Sequence, residues 1–273
     1  MTCHWPGSTR CGVIDTAQLA FAARLRATMP WVEPVIAHLE AQAERQLWLG
    51  RPWMAWRPLC LVGAPGVGKS HLAKAIADAV GLSSATLDLA GTSDNRTLEG
   101  TARGWLSTQP CWPAMMMAQT RTANPMLIVE EIDKAGGSDR NGRVLNTLLT
   151  MIEDHTARSY YDRCLLATAD LSHICWVFTC NSIDTLSPML RSRMDIIEVE
   201  AAGIEHFEQV LTAVLAGVAE QWGIASHALP DPPPRAVAIL RDAYRQTRSI
   251  RVLKRQVEAI LQSMIRHEPR RTH

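Results

Sequence analysis

No apolar run in this 273-residue chain approaches the roughly 20 residues that a bilayer-spanning helix requires. The amino terminus, "MTCHWPGSTRCG", lacks the apolar stretch of a signal peptide. The seven cysteines are odd in number and form no Cys-x-x-Cys pair. That excludes a zinc ribbon, argues against a disulfide framework, and suits a reducing compartment. The nine histidines show no metal-ligand spacing, so none is assigned a ligand role. No internal repeat or low-complexity tract is visible. The composition is 47% hydrophobic and 20% charged, which argues against disorder. The expectation is a cytoplasmic globular protein with one large domain, or a large one with a small companion.

Net charge is scarce too. The formal value of +1 hides a gradient, because basic residues outnumber acids between Arg235 and Arg271. Such an end could face phosphates, nucleic acid or an acidic partner, or be an ordinary solvated helix face. The nine tryptophans are compatible with a partner surface near the amino-terminal connector and equally with a local core.

What is present is periodic. "WVEPVIAHLEAQAERQLWLG" (31–50) reads as a helix carrying Val35, Leu39, Ala43 and Leu47 on one side, closed by Gly50. Short apolar strands follow at "LCLV" (59–62), "ATLDL" (85–89), "MLIV" (126–129), "ICWVFTC" (174–180) and "IIEV" (196–199), separated by helical stretches such as "KSHLAKAIADAV" (69–80). That alternation predicts a five-stranded parallel sheet flanked by helices. After Ala201 the pattern is helical only, broken at Gly203, Gly223 and Pro232–Pro234. The expected division is a helical segment and connector over 1–57, an α/β core over 58–201 and an all-helical domain over 202–273.

"GAPGVGKS" (63–70) satisfies G-x-x-x-x-G-K-[ST], with a strand before it and a helix after it. Gly63, Gly66 and Gly68 allow a tight turn whose N–H groups point inward. The helix starting near Lys69 adds its positive dipole end. Gly63, Ala64, Pro65, Gly66, Val67, Gly68, Lys69, Ser70 and His71 are therefore the candidate nucleotide-binding residues. Lys69 would reach the β- and γ-phosphates, and the Ser70 hydroxyl would ligate magnesium.

A triphosphate in such a loop needs a second carboxylate strand. In "MLIVEE" (126–131), Glu131 is the candidate general base or water orienter. Glu130 is the second metal candidate, standing where aspartate is usual. Its extra methylene moves the carboxylate by roughly 1.5 Å. An intervening water could absorb that shift, or the ion could be displaced and the chemistry slowed.

With both motifs placed, residues 58 to 262 resemble an AAA+ ATPase, and more narrowly the ATPase module of Lon. "PLCLVGAPGVGKSHLAKAIADAVG" resembles that family's phosphate-loop segment and "NPMLIVEEIDKAG" its carboxylate strand, where the family normally has Asp-Glu. The resemblance implies an AAA+ P-loop core followed by a small helical lid, with ATP and Mg2+ as cofactors. It implies that Asn181 is the sensor-1 residue, the alternative being an asparagine capping a turn. It further implies that Arg193 is the arginine finger, with Arg191 as its rival, and that Arg251 is the sensor-2 arginine. Trp105 and Leu106, in "LEGTARGWLSTQP" (98–110), fall on the aromatic–aliphatic pore-loop pair that grips a substrate chain, Trp105 as a core residue being the alternative. "GGSDRNGR" (136–143) falls on the second pore loop, and "YYDRCLLATADLS" (160–172) on a hairpin insertion. Lon's Ser–Lys protease domain and large amino-terminal domain have no counterpart in the sequence, so no peptidase activity is expected.

Three functions follow as expectations. The first is an ATPase ring, hexameric by resemblance, that remodels or threads a protein supplied by other proteins. The second is a nucleotide-gated assembly switch with slow hydrolysis. The third is a helper ATPase acting on nucleic acid.

Overall fold

Five of the apolar runs join into one parallel sheet. The structure, a computed structural model, describes residues 20–51, 53–90, 95–104, 107–135 and 139–267. The two pore-loop residues Trp105 and Leu106, the first 19 residues and Gly136–Ser138 lie outside the described residues. Two compact units are present. One comprises the chain up to Ala27, Val32–Gly63 and Lys69–Val199; the other comprises Thr28–Trp31, Ala64–Gly68 and Glu200 onward.

In the first unit, helices α1 (Phe21–Thr28) and α2 (Glu33–Trp48) lead to β1 (Leu59–Val62) and α3 (Lys69–Val80). Next come β2 (Ser84–Asp88), α4 (Arg96–Glu99), α5 (Trp112–Thr120) and β3 (Met126–Glu130). Helices α6 (Asp139–Ile152) and α7 (Asp154–Ala157) precede the hairpin β4 (Tyr160–Asp162) and β5 (Ala167–Ala169). Then follow β6 (Cys175–Cys180), α8 (Pro188–Arg191) and β7 (Asp195–Glu198). Helix α6 begins inside the stretch, residues 136–143, expected to be the second pore loop.

The sheet order is β2-β3-β6-β1-β7, with Cys60 opposite Phe178 and Ile128 opposite Val177. Strand β6 is buried at every position and β3 at all but the last, as expected for central strands covered on both faces. Each fully buried Leu, such as Leu59, Leu61 or Leu127, stabilises the fold by roughly 2 kcal/mol. Strand β2, at the edge, alternates between exposed and half-buried. This order is the decisive one for the site. It sets the carboxyl ends of β1, β6 and β3 side by side, spaced about 4.8 Å per strand.

On α2, Val35, Leu39 and Ala43 are buried as expected, but Leu47 is 40% exposed and Ile36 and Gln46 are buried instead. A step of four residues overshoots one turn by about 40°. Three steps therefore carry Leu47 off the buried side.

The hairpin is organised by Asp162, which is 1% exposed. Its carboxylate accepts from the backbone N–H groups of Cys164 and Leu165 at 2.8 Å and of Cys111 at 2.7 Å. The second unit packs α9 (Phe207–Trp222), α10 (Pro234–Thr247) and α11 (Ile250–His267) around Phe207, Tyr244, Leu253 and Leu261. Tyr244 donates to the Ala202 carbonyl at 3.0 Å, satisfying a buried hydroxyl. Among the described residues no helix is long and apolar enough to cross a membrane.

Candidate nucleotide site

Strand β1 runs into Gly63, whose N–H donates to the Cys180 carbonyl at 3.3 Å. Gly63 does not take the positive φ of a loop glycine; what it supplies is its carbonyl, which accepts from Lys69 Nζ at 2.7 Å. Lys69, 9% exposed, also donates to Asn181 Oδ1 at 2.9 Å. An ammonium removed from water needs such partners. The phosphate-loop lysine is thus held by its own loop and by the residue that follows β6.

Gly66 and Gly68 are the glycines whose conformation matters, with φ of 86° and 102°. A Cβ on Gly66 would stand 2.5 Å from Ser249 Oγ, and one on Gly68 2.8 Å from Ile250 Cδ1. Within the helical unit the loop therefore rests on the start of α11, where Ile250 N–H donates to the Gly66 carbonyl at 2.8 Å. Arg251 lies there too, its Cβ 3.5 Å from that same added atom. Its side chain is exposed, as are Ser70, His71, Ala64 and Pro65, whereas Val67 is buried.

At the end of β3 the two glutamates differ. Glu130 keeps strand geometry, and its carboxylate has no hydrogen-bond or ion-pair partner among the described residues. Glu131 turns left-handed, with φ 53° and ψ 44°, a conformation that costs a non-glycine residue of order 1 kcal/mol or more. Its N–H donates to Thr179 Oγ1 at 3.2 Å. Its carboxylate pairs with Lys134 Nζ at 2.8 Å.

Asp133 was not singled out by motif reasoning. Its Oδ2 accepts from the Asn181 backbone N–H at 3.0 Å, fixing the sensor candidate against the carboxylate strand. Its Oδ1 is buried without a partner. The signal was faint: a third acid in "EEIDK" whose contact lies 48 positions away. Thr179, a lone hydroxyl in an apolar strand and 2% exposed, was missed for the same reason.

Among the described residues no group of three or more His, Cys, Asp or Glu could hold a metal unaided. Ser70 offers a hydroxyl and Glu130 a carboxylate, and Asp133 Oδ1 is a further oxygen, buried without a partner. Hard oxygen donors in that number suit a magnesium ion whose shell is completed by water and nucleotide phosphates.

Beneath the site, Cys60 and Cys180 thiols lie 3.6 Å apart. Their mutual hydrogen bond, helped by burial, pushes the Cys60 thiol up, and it draws the Cys180 thiol down against the opposing effect of burial. Arg193 is held elsewhere on the first unit. Its Nε donates to Glu153, and its Nη1 to the Met189 carbonyl at 2.9 Å and Ser192 Oγ at 3.3 Å. The Arg191 guanidinium has no hydrogen-bond or ion-pair partner among the described residues.

Residues 59–200 match the family described as "ATPase family associated with various cellular activities (AAA)". The chain is 30% identical over 207 residues to a Lon protease of Cytophaga hutchinsonii, covering 76% of this chain and 25% of that protein. It is 31% identical over 211 residues to a Lon protease of Chloroflexus aurantiacus, with 76% and 25% covered. Against the peroxisomal Lon protease homolog 2 of Arabidopsis thaliana it is 30% identical over 203 residues, with 74% and 23% covered. The chain thus spans about a quarter of the length of the curated relatives it matches. A parallel sheet with a phosphate loop directly after β1, carboxylates at the end of β3 and a polar residue just after β6 agrees with that match, and the chain belongs to the AAA family of ATPases as a Lon-like AAA+ module.

Proposed function

We propose that this chain is a magnesium-dependent ATPase whose sites are completed between subunits of a ring, hexameric by likeness to Lon, and that it uses turnover to remodel a protein partner. The observation that carries the reading is the Lys69 ammonium bonded to Asn181 Oδ1 at 2.9 Å. It supports the reading by joining the candidate phosphate-binding cation, at the start of α3, to the candidate water-orienting amide just after β6.

In this reading residues 63–71 cradle the triphosphate, and Arg251 senses it from α11. Ser70 and Glu130 hold the magnesium ion, which when bound neutralises charge on the β- and γ-phosphates. Glu131 and Asn181 position the attacking water, and Glu131 takes its proton. Arg193 enters a neighbour's site as a finger. Trp105 and Leu106 grip the protein substrate.

The slow switch is the second reading, and one observation favours it: Glu131 is already engaged by Lys134 at 2.8 Å. Steady-state ATP turnover with magnesium separates the two. Robust wild-type turnover that Glu131→Gln abolishes supports the motor. Near-zero turnover that Glu130→Asp raises supports the switch.

A further inference from the structure

The first unit holds a cleft of about 450 Å³, and of its lining residues Arg193 alone is also a candidate residue of the ATPase site. It lies where the end of α2, the connector to β1, α7 and the start of β6 meet. That volume falls in the ordinary range for a binding pocket. Five arginines line it (Arg45, Arg51, Arg57, Arg158 and Arg193) against two carboxylates, Glu153 and Asp154. Those acids are spoken for: Arg193 pairs with Glu153 and Arg158 with Asp154 at 3.0 Å. Arg57 binds Asp195 at 2.8 Å. Arg45 and Arg51 have no acidic partner among the described residues.

The walls also carry unmet hydrogen-bonding capacity. Trp176 is 2% exposed and Gln46 is 4% exposed, and both line the cleft. Trp176 leaves its indole Nε1 donor without a partner, and Gln46 leaves its Oε1 acceptor without one. The Gln46 amide orientation is set by its Nε2, which donates to the Ala55 carbonyl at 3.4 Å. Buried groups of this kind are normally satisfied, and exceptions call for an explanation.

We infer that this cleft is a docking site for an acidic segment of a partner protein. Its carboxylates would pair with Arg45 and Arg51, and its backbone C=O and N–H would meet Trp176 Nε1 and Gln46 Oε1. A peptide chain offers both donors and acceptors, and the two orphaned atoms require one of each. A phosphodiester backbone offers acceptors only and leaves Gln46 Oε1 unmet. Arginine clusters are a recurrent way of reading acidic motifs. A second copy of the chain is a poor source, because its sequence contains no run of more than two acids. One such pair, Glu153–Asp154, is part of the cleft itself. Beyond Gln46, Leu47, Trp48 and Leu49 stand 40%, 85% and 44% exposed. They give apolar residues flanking the acidic segment something to cover.

The inference does not depend on the ATPase reading, and it is tested apart from turnover. A fluorescein-labelled decaglutamate peptide is titrated with the full chain, followed by anisotropy, at low and moderate salt. The expected result is saturable binding that Arg45→Glu/Arg51→Glu weakens at least tenfold, with binding of a fluorescent ATP analogue unchanged as the control for folding. Gln46→Leu, which keeps both arginines, is expected to weaken binding by a smaller factor. The Trp176 indole N–H resonance is expected to shift on peptide addition. Equal binding by wild type and the double variant overturns the inference. So does a single-stranded oligonucleotide that binds more tightly than the peptide through the same arginines, which assigns the cleft to nucleic acid. A fall in oligomeric state of the double variant without peptide also overturns it, in favour of contact between copies.

Discussion

Lys69 Nζ and Asn181 Oδ1 are hydrogen-bonded at 2.9 Å, so the cation expected to meet the γ-phosphate is held by the side chain expected to orient water. A triphosphate entering the loop competes with Asn181 for that ammonium. Removing Asn181 therefore affects binding and chemistry in opposite directions. Asn181→Ala should keep or modestly tighten ATP binding while lowering turnover about a hundredfold, the usual scale for a positioned catalytic group. Equilibrium binding of a fluorescent ATP analogue, set beside steady-state turnover, checks both halves. Parallel loss of the two would make Asn181 a structural cap.

Thr179 Oγ1 accepts the N–H of Glu131, and that bond holds the left-handed turn at the end of β3. Thr179→Val preserves shape but leaves the N–H without a protein acceptor, at a cost of about 1–3 kcal/mol. Urea unfolding should show the loss in the denaturation midpoint. Turnover should fall with unchanged nucleotide affinity, because Glu131 rather than the phosphate loop is displaced.

Arg193 and Arg191 differ in what holds them. Arg193 is paired with Glu153, whereas the Arg191 guanidinium has no hydrogen-bond or ion-pair partner among the described residues. Arg193→Ala should cut turnover about a thousandfold, as for loss of an arginine finger, with ATP binding retained. If Arg191→Ala does this and Arg193→Ala does not, the finger is Arg191. The pair with Glu153 is about one-third exposed on each side, so its loss in Glu153→Gln should cost under about 1 kcal/mol.

Cys111 is buried beside the Asp162 carboxylate, and burial, the larger cause, pushes its thiol from 9.0 up to about 12. The unfolded thiol ionises first as pH rises, so the folded state binds the extra proton. This contribution is intact below about pH 9 and is lost progressively as pH climbs toward 12. Between pH 9 and 10 the slope is up to about 1.4 kcal/mol per unit. Urea midpoints at pH 8 and 10 should fall less in Cys111→Ala than in wild type. Parallel slopes would remove Cys111 from the account.

Asp162 satisfies three backbone N–H groups from 1% exposure. Asp162→Ala strands all three and should destabilise the first unit by about 3 kcal/mol. Thermal unfolding of the full chain is the measurement. Unchanged stability would mean that water replaces the carboxylate.

The sequence by itself determined whatever local backbone chemistry encodes. The strand–loop–helix at 59–80, the glycines at 66 and 68 and the apolar cores of β3 and β6 are set by residues adjacent in the chain. Their geometry follows from which φ values and which burial those residues tolerate. The acids at 130 and 131 were legible as candidates for the same reason. Only the tertiary structure decided their circumstances. Glu131 is paired with Lys134 and anchored to Thr179 on the neighbouring strand, Asp133 holds Asn181, and Lys69 meets Asn181 across 112 positions. The pairing of Arg193 with Glu153 and the arginine-lined cleft likewise join segments far apart in sequence. No local pattern carries those contacts. They depend on the order in which β3, β6 and β1 lie in the sheet and on where α2 and α7 end, which the packing of the whole first unit settles.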